Sequence, residues 1–362
     1  MKSVKLGEIG KIITGCTPST KKSEYYADNK YMFVGPSDIK KVMYVVSSEK
    51  NISEKAFEDY KNRFIEENSI VVDCIGSDMG NVAIVKSKCL TNQQINAISN
   101  IDEECYNIKY IYYVLSTMKK YFHLIGTNGS TMPILNKTMF ENIEVEIPKI
   151  EIQNKIAKIL SKLDDKIKIN NEINNNLYKL IKNNYESLIN GCNWEEVELG
   201  AISNITSGKR PVDKSETGEY PVIGANGIMA YTSNFNFNED LIITGRVGTL
   251  GVVRRYLDKI WASDNTLVIQ TKYLNYIGNY LKNIDYYSLN RGSTQPLLTQ
   301  GDLKKQIIYF NEEMVGKFEK ENQIFVEKIR NNEKENQRLE QLRDTLLPKL
   351  MNDEIDLDNI EI

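Results

Sequence analysis

Apolar residues along this chain recur with two different periods, and the two periods alternate. From the start to about residue 148, and again from about 194 to 311, short β-branched runs are broken by turn residues. Ile70-Val71-Val72-Asp73-Cys74-Ile75 and Val82-Ala83-Ile84-Val85 read as strands around a glycine-bearing turn at 76–80. Leu241-Ile242-Ile243-Thr244 and Val252-Val253 frame the turn at 245–251 in the same way. Residues 110–121 and 273–284 have the apolar spacing of helices. Each of these two regions is expected to be an α/β (α+β) globular domain.

After Pro148 the period changes. Apolar residues fall at Ile156, Leu160, Leu163, Ile167, Leu177, Ile181 and Leu188, and later at Val315, Phe318, Phe325, Ile329, Leu339, Leu346 and Leu350. Steps of three and four make a heptad seam. A helix of about 38 residues is about 57 Å long. Such a helix cannot bury its own seam, so the two are expected to pack antiparallel as a coiled coil. The expected boundaries are 1–148 for the first domain, 149–192 for the first helix and 193–311 for the second domain. The second helix takes 312–352, and 353–362 form a C-terminal tail.

The seam is interrupted by Asn170 and Asn174 in the first helix and Asn332 and Asn336 in the second, at a common offset of 162. Two readings are open. One is that an asparagine-rich chain puts asparagine everywhere. The other is a buried layer in which Asn170 faces Asn336 and Asn174 faces Asn332. Such a layer lowers stability but fixes register, because a slipped helix buries unpaired amides.

The chain also repeats itself. Val4-Lys5-Leu6-Gly7-Glu8-Ile9 returns as Val197-Glu198-Leu199-Gly200-Ala201-Ile202, and Thr14-Gly15 as Ser207-Gly208, both at an offset of 193. Residues 31–35 match 220–224, and 129–135 match 292–298. The order of matches never breaks, so the chain reads as a pseudo-twofold internal repeat of domain and helix.

Composition narrows the chemistry. The five cysteines are scattered, with no CxxC pair, which fits a reducing cytoplasm and argues against zinc or a disulfide framework. No run resembles a signal peptide or a membrane span. A formal net charge of −3 requires that any DNA-binding charge be local or supplied by partners. No proline is followed by aspartate, there is no Pro-Pro pair, and no P-loop occurs, so the common nuclease, adenine-methyltransferase and ATPase signatures are missing. His123, the single histidine, reads as structural. The glycine-rich run at 245–251 reads as a strand-joining turn, with Arg246 open to a phosphate- or base-contacting role.

The order domain–helix–domain–helix resembles the specificity subunit of type I restriction-modification systems. The resemblance covers essentially the whole chain. Its residues are Leu6-Gly7-Glu8-Ile9 and Leu199-Gly200-Ala201-Ile202, the Gly129-Ser130-Thr131-Met132-Pro133 and Gly292-Ser293-Thr294-Gln295-Pro296 runs, Ile147-Pro148 before the first helix, and residues 342–350 at the end of the second. One departure is visible: Phe310-Asn311 stands where a proline is expected before the second helix.

The resemblance implies a chain with no chemistry of its own, no metal and no bound cofactor. Each globular domain would be a target recognition domain reading half of a bipartite site on double-stranded DNA. The helices would dock two methyltransferase subunits and, where present, restriction (motor-nuclease) subunits, and S-adenosylmethionine, ATP and Mg would belong to those partners. A specificity subunit of a methylation-only or fused type II system is an alternative, and a non-DNA coiled-coil scaffold another.

Reading base edges takes polar side chains, and phosphates take cations. In the first domain the candidates are Thr14, Thr17, Ser19, Lys21, Lys22, Ser37, Asp38, Ser77, Asp78, Asn92, Gln93, Gln94, Asn128, Ser130 and Thr131. In the second they are Ser207, Lys209, Arg210, Asn226, Arg246, Ser263, Asn265, Arg291, Ser293, Thr294 and Gln295.

Overall fold

The structure, a computed structural model, describes residues 1–40, 42–127, 133–191, 193–292, 294–352 and 354–355. It divides into two compact units, one of residues 1–167 with the segment from Arg338 onward, the other Lys168–Gln337. Each unit holds one globular head and part of both long helices.

In the first head a five-stranded sheet runs in the order Lys11–Thr14, Ile95–Ser99, Ile70–Asp73, Val82–Val85, Tyr44–Val45. A three-stranded sheet runs Lys50–Ile52, Tyr31–Val34, Cys89–Thr91, and a ribbon pairs Lys2–Lys5 with Glu144–Ile147. The second head repeats this sheet for sheet. Its four-stranded sheet runs Asn204–Ser207, Thr266–Gln270, Leu241–Gly245, Arg254–Tyr256. Its three-stranded sheet runs Gly227–Thr232, Tyr220–Gly224, Trp261–Ala262, and its ribbon pairs Glu195–Glu198 with Ile307–Phe310. The first head's extra edge strand comes from residues 35–49. The second head has only the two-residue turn Ala225-Asn226 there.

The apolar runs are continuous because the main sheets are covered on both faces. Alternate residues go to opposite sides. Ile12, Ile70, Val72, Ile84 and Ile98 join the core beneath the helix Ile108–Thr117 and the first long helix. Ile13, Val71, Ala83, Val85, Ile95 and Ala97 join a second core with Met32, Val34 and Cys89 from the three-stranded sheet. The second head splits likewise, with Ile205, Ile242, Leu267 and Ile269 on one side and Leu241, Ile243 and Val268 on the other.

Two sequence expectations shift. The strand placed at Val252-Val253 starts two residues later, as Arg254–Tyr256, because the glycine-rich turn is longer than its spacing suggests. The single helix expected at 110–121 is two, Ile108–Thr117 and Lys119–Gly126, which meet at Met118.

The long helices are Ile150–Ile189 and Glu312–Met351. The missing proline before the second is replaced by an N-cap: the Met314 amide donates to Asn311 Oδ1 at 3.0 Å. In the first unit Ile156, Ala157, Leu160 and Leu350 enter the head's core. There Arg343 Nη1 pairs with Asp164 Oδ1 at 2.7 Å, and the Tyr113 hydroxyl donates to Asp164 Oδ2 at 2.5 Å. In the second unit Asn170 Nδ2 donates to Asn336 Oδ1 at 2.9 Å, and Asn332 Nδ2 to Asn174 Oδ1 at 2.7 Å. Both pairs face each other as the sequence predicts, and all four side chains are buried. A third pair, Asn184 Nδ2 to Asn322 Oδ1 at 2.9 Å, continues the series. Numbers rise on one helix as they fall on the other, so the segments are antiparallel. Among the described residues no helix is long and apolar enough to cross a membrane, and no group of three metal-ligating side chains occurs.

Candidate nucleic-acid interface

Strand direction gathers the loops of each head at one end. In the first head Thr14 pairs with Asn96, and Asp73 with Ile95, so the chain leaves 11–14 and 70–73 where it enters 95–99. Val34 and Thr91 end parallel strands at the same place. Loops at 15–22, 35–40, 74–81, 92–94 and 133–135 therefore meet there.

Six main-chain hydrogen bonds fasten these loops to one another and to the strands. They run from the amides of Gly15 to Ile95, Cys16 to Thr91, Asn92 to Val34, Cys74 to Gln94, Gly76 to Pro133 and Leu135 to Cys74. The second head repeats all six: Gly208 to Thr266, Lys209 to Ala262, Ser263 to Ile223, Arg246 to Asn265, Gly248 to Pro296 and Leu298 to Arg246. The glycines that open both first loops are required by close approach. A Cβ on Gly15 would fall inside contact distance of the Thr91 and Asn92 carbonyl oxygens, and one on Gly208 would strike those of Ala262 and Ser263.

In the first head this scaffold brings most of the candidates together. Thr14 Oγ1 bonds the buried Asn96 at 2.6 Å, and Thr17 Oγ1 bonds Gln93 Oε1 at 2.5 Å. Ser19, Lys21 and Ser37 are exposed. Lys22 Nζ donates to Tyr25 OH at 3.1 Å, the bond that raises its own pKa. Asp38 is spent on the chain: its carboxylate accepts from the Gly35 and Glu49 amides at 2.8 and 2.9 Å. Asn92 likewise folds back on Gln94. Asp78 lies between Lys119 and Lys40, both at 2.7 Å, and their hydrogen bonds pull its carboxyl down to about 2. The Ser77 carbonyl meets His123 Nε2 at 2.9 Å, so the histidine supports the same turn. Asn128, Ser130 and Thr131 lie outside the described residues.

At its loop end the second head exposes more cations without a partner among the described residues. Lys209 and Arg210 are exposed, as are Asn226 and Asn265. Among the described residues the Arg246 side chain makes a single hydrogen bond, a long one of 3.4 Å to the Asp264 carbonyl. Arg291, by contrast, makes a two-point contact with Asp302, at 2.8 and 3.2 Å, which lowers the Asp302 pKa. Ser207 Oγ accepts from Gln300 at 2.8 Å, and Ser263 is buried with no partner for its hydroxyl among the described residues. Thr294 and Gln295 are exposed, and Ser293 lies outside the described residues.

Several residues that hold this end carry no sequence signal. Buried Asp73 accepts from Asn81 Nδ2 at 2.8 Å and from the Gly80 and Asn81 amides, and burial raises its pKa. Arg63 Nη1 reaches the Thr14 carbonyl at 3.2 Å across a long sequence gap. Asn236 brackets Ala262 with two bonds, and Asn290 accepts from the Gly292 and Leu297 amides. Arg63 and Asn236 join segments far apart in the sequence, while Asp73 and Asn290 close their own turns as any short polar residue there could.

The chain matches the family model described as the type I restriction modification DNA specificity domain twice, over residues 1–179 and 192–343. It is 28% identical over 410 residues to the MjaIX specificity subunit of Methanocaldococcus jannaschii, covering 98% of this chain and 94% of that protein. It is 32% identical over 170 residues to the EcoR124I/EcoR124II specificity subunit of Escherichia coli, covering 44% and 40% respectively. The fold is like that of the type I restriction-modification S subunit from M. genitalium, with a TM-score of 0.59 and 17% identity over 96% of this chain and 95% of that one. Two family matches fall on two heads that repeat one loop scaffold, and the chain belongs to the type I restriction-modification specificity subunits, the non-catalytic DNA-recognition members of these systems.

Proposed function

We propose that this chain reads a bipartite duplex target, one half-site per head, with an unread spacer between. The observation that supports it is the set of six main-chain bonds at the loop ends that occurs in both heads, carrying different side chains in each. One scaffold with two sets of side chains suits two different half-sites. The long helices dock two methyltransferase subunits and, where present, motor-nuclease subunits. This chain holds no cofactor; S-adenosylmethionine, ATP and Mg belong to those partners, and the assembly works in the cytoplasm.

Co-expression with methyltransferase subunits, followed by methylome sequencing, tests this reading. The expected result is a split motif with two unlike halves. A continuous motif, or methyl transfer by the rigorously purified chain alone, overturns it.

The helices also set the spacer. Four residues inserted after Ser187 add about 6 Å of rise, close to two base pairs at about 3.4 Å each. The methylome of that variant should show the same half-sites with a spacer longer by about one or two base pairs. An unchanged spacer would leave the helices as docking surfaces only.

A further inference from the structure

The loop-bearing end of the second head carries an apolar pair among polar neighbours. Gly227–Thr232 runs back along Tyr220–Gly224, and the register slips between Val222 and Ile223. A bulge of this kind re-aims the side chains beside it. Here two successive residues, Ile228 and Met229, face outward, 57% and 49% exposed. Strict alternation would have turned one of them inward. Gly227, at φ +117°, makes the turn, and Arg254 lies against it where a Cβ would stand. Arg254 pairs with Ile243 in the neighbouring ladder, two residues before the Arg246 turn begins at Gly245. A Cβ built on Gly245 would touch Ala225 at 3.1 Å, so the hairpin tip adjoins that turn.

Among the described residues the loops of the first head expose apolar side chains singly, as at Val46 and Ile134, and show no adjacent pair of them. Its corresponding strand, Lys50–Ile52, offers Lys50 and Asn51 and buries Ile52. A single exposed apolar side chain needs no explanation. Two neighbours on a bulged hairpin, at an end shared with Arg254, Arg246, Lys209 and Arg210, are a different matter. The cations attract the phosphate backbone, which brings the apolar tip against base edges. On the major-groove edge the apolar group is the thymine methyl.

We propose that Ile228 and Met229 read a thymine methyl in the second half-site, with Arg254 holding a neighbouring phosphate. The inference rests on the second head being a DNA reader, and its test separates the two.

The assembled complex is titrated with duplexes in which each thymine of the second half-site, once the target is known, is replaced in turn by deoxyuridine. At one position the unaltered complex should lose about fourfold in affinity, the worth of burying one methyl group. With Ile228→Ser and Met229→Ser together, thymine and deoxyuridine duplexes should bind equally, while a first-half-site mismatch keeps its full penalty. The deoxyuridine series on the unaltered complex needs no variant, so its failure overturns the proposal even where the double variant folds poorly, and the milder Ile228→Ala and Met229→Ala then test which side chains read the methyl. The proposal is overturned by discrimination that survives in the double variant, or by no deoxyuridine effect at any position. A second half-site without an A·T pair overturns it too. So does loss of DNA bending with thymine discrimination intact, the mark of a wedge between base steps. Arg246→Ala is the control: if it relaxes the second half-site while deoxyuridine has no effect, the head reads DNA and only the apolar pair fails. If neither has any effect, the reading of this head as a DNA reader falls with it.

Discussion

In the first head the turn after the central strand closes on Asp78, a carboxylate held between Lys40 and Lys119. In the second head the corresponding turn carries Arg246, whose side chain makes one long bond among the described residues. The main chain beneath the two turns is bonded alike, amide for amide. The difference teaches where specificity is stored. Position is written in main-chain bonds that any sequence of suitable turn residues can make, and preference in side chains that leave those bonds untouched.

The strongest challenge to that equivalence is to add one methyl group to each scaffold. Gly15→Ala and Gly208→Ala both push a Cβ into two carbonyl oxygens. Each should cost about 3 kcal/mol through overpacking, lowering the melting temperature by about 6–12 °C for a domain of this size. Each should also blur only its own half-site. Differential scanning calorimetry and methylome sequencing of the two variants check this, and a large asymmetry between them would break the comparison.

A smaller effect sharpens it. Arg246→Ala should relax one position of the second half-site by about 1–3 kcal/mol and leave the first untouched. Competition binding with single-base-pair substitutions reads this directly. Equal relaxation of both halves would mean that the heads do not read separately.

The smallest effect concerns the acidic turn. With its pKa pulled from 3.8 to about 2, the Asp78 carboxylate adds stability that is fully present above about pH 4 and is lost as pH falls towards 2. About half of the side chain is exposed, so solvent screening limits this to a few tenths of a kcal/mol. NMR titration of the Asp78 carboxyl carbon should give a midpoint near 2, moving up towards the ordinary value in Lys119→Met. A midpoint near 4 in the unaltered chain would dissolve the ion triad.

Much of the architecture was legible because it is periodic. The heptad seam and the common offset of the asparagines place Asn170 opposite Asn336 and Asn174 opposite Asn332, and the structure pairs them so. The third pair, Asn184 with Asn322, lies on the same seam, between Ile181 and Leu188 and between Phe318 and Phe325, but the offset of 162 that joins the other asparagines does not join these two. The loop candidates gather at one end of each head, and the sequence could not sort them as individuals. Asp38, Asn92 and Arg291 look in sequence like Lys209 or Asn226, yet the first three are tied to the protein itself. Short polar residues serve equally to close a turn and to meet a ligand, and only tertiary contacts tell the two apart. Ile228 and Met229 were passed over for the opposite reason: the bulge that exposes them lies in pairing with another strand.

The make-up of the first unit has a consequence in time. Its core includes Leu350, with Leu346, Leu347 and Met351 packed against it, alongside residues from the first 160 positions. The second unit is one unbroken stretch, Lys168–Gln337. During synthesis at about 5–20 residues per second, the last piece of the first unit emerges roughly 10–40 seconds after the rest of it. The head that is made first is thus the last to be finished, and it waits, with part of its apolar floor open, while the whole of the other unit is made and can fold.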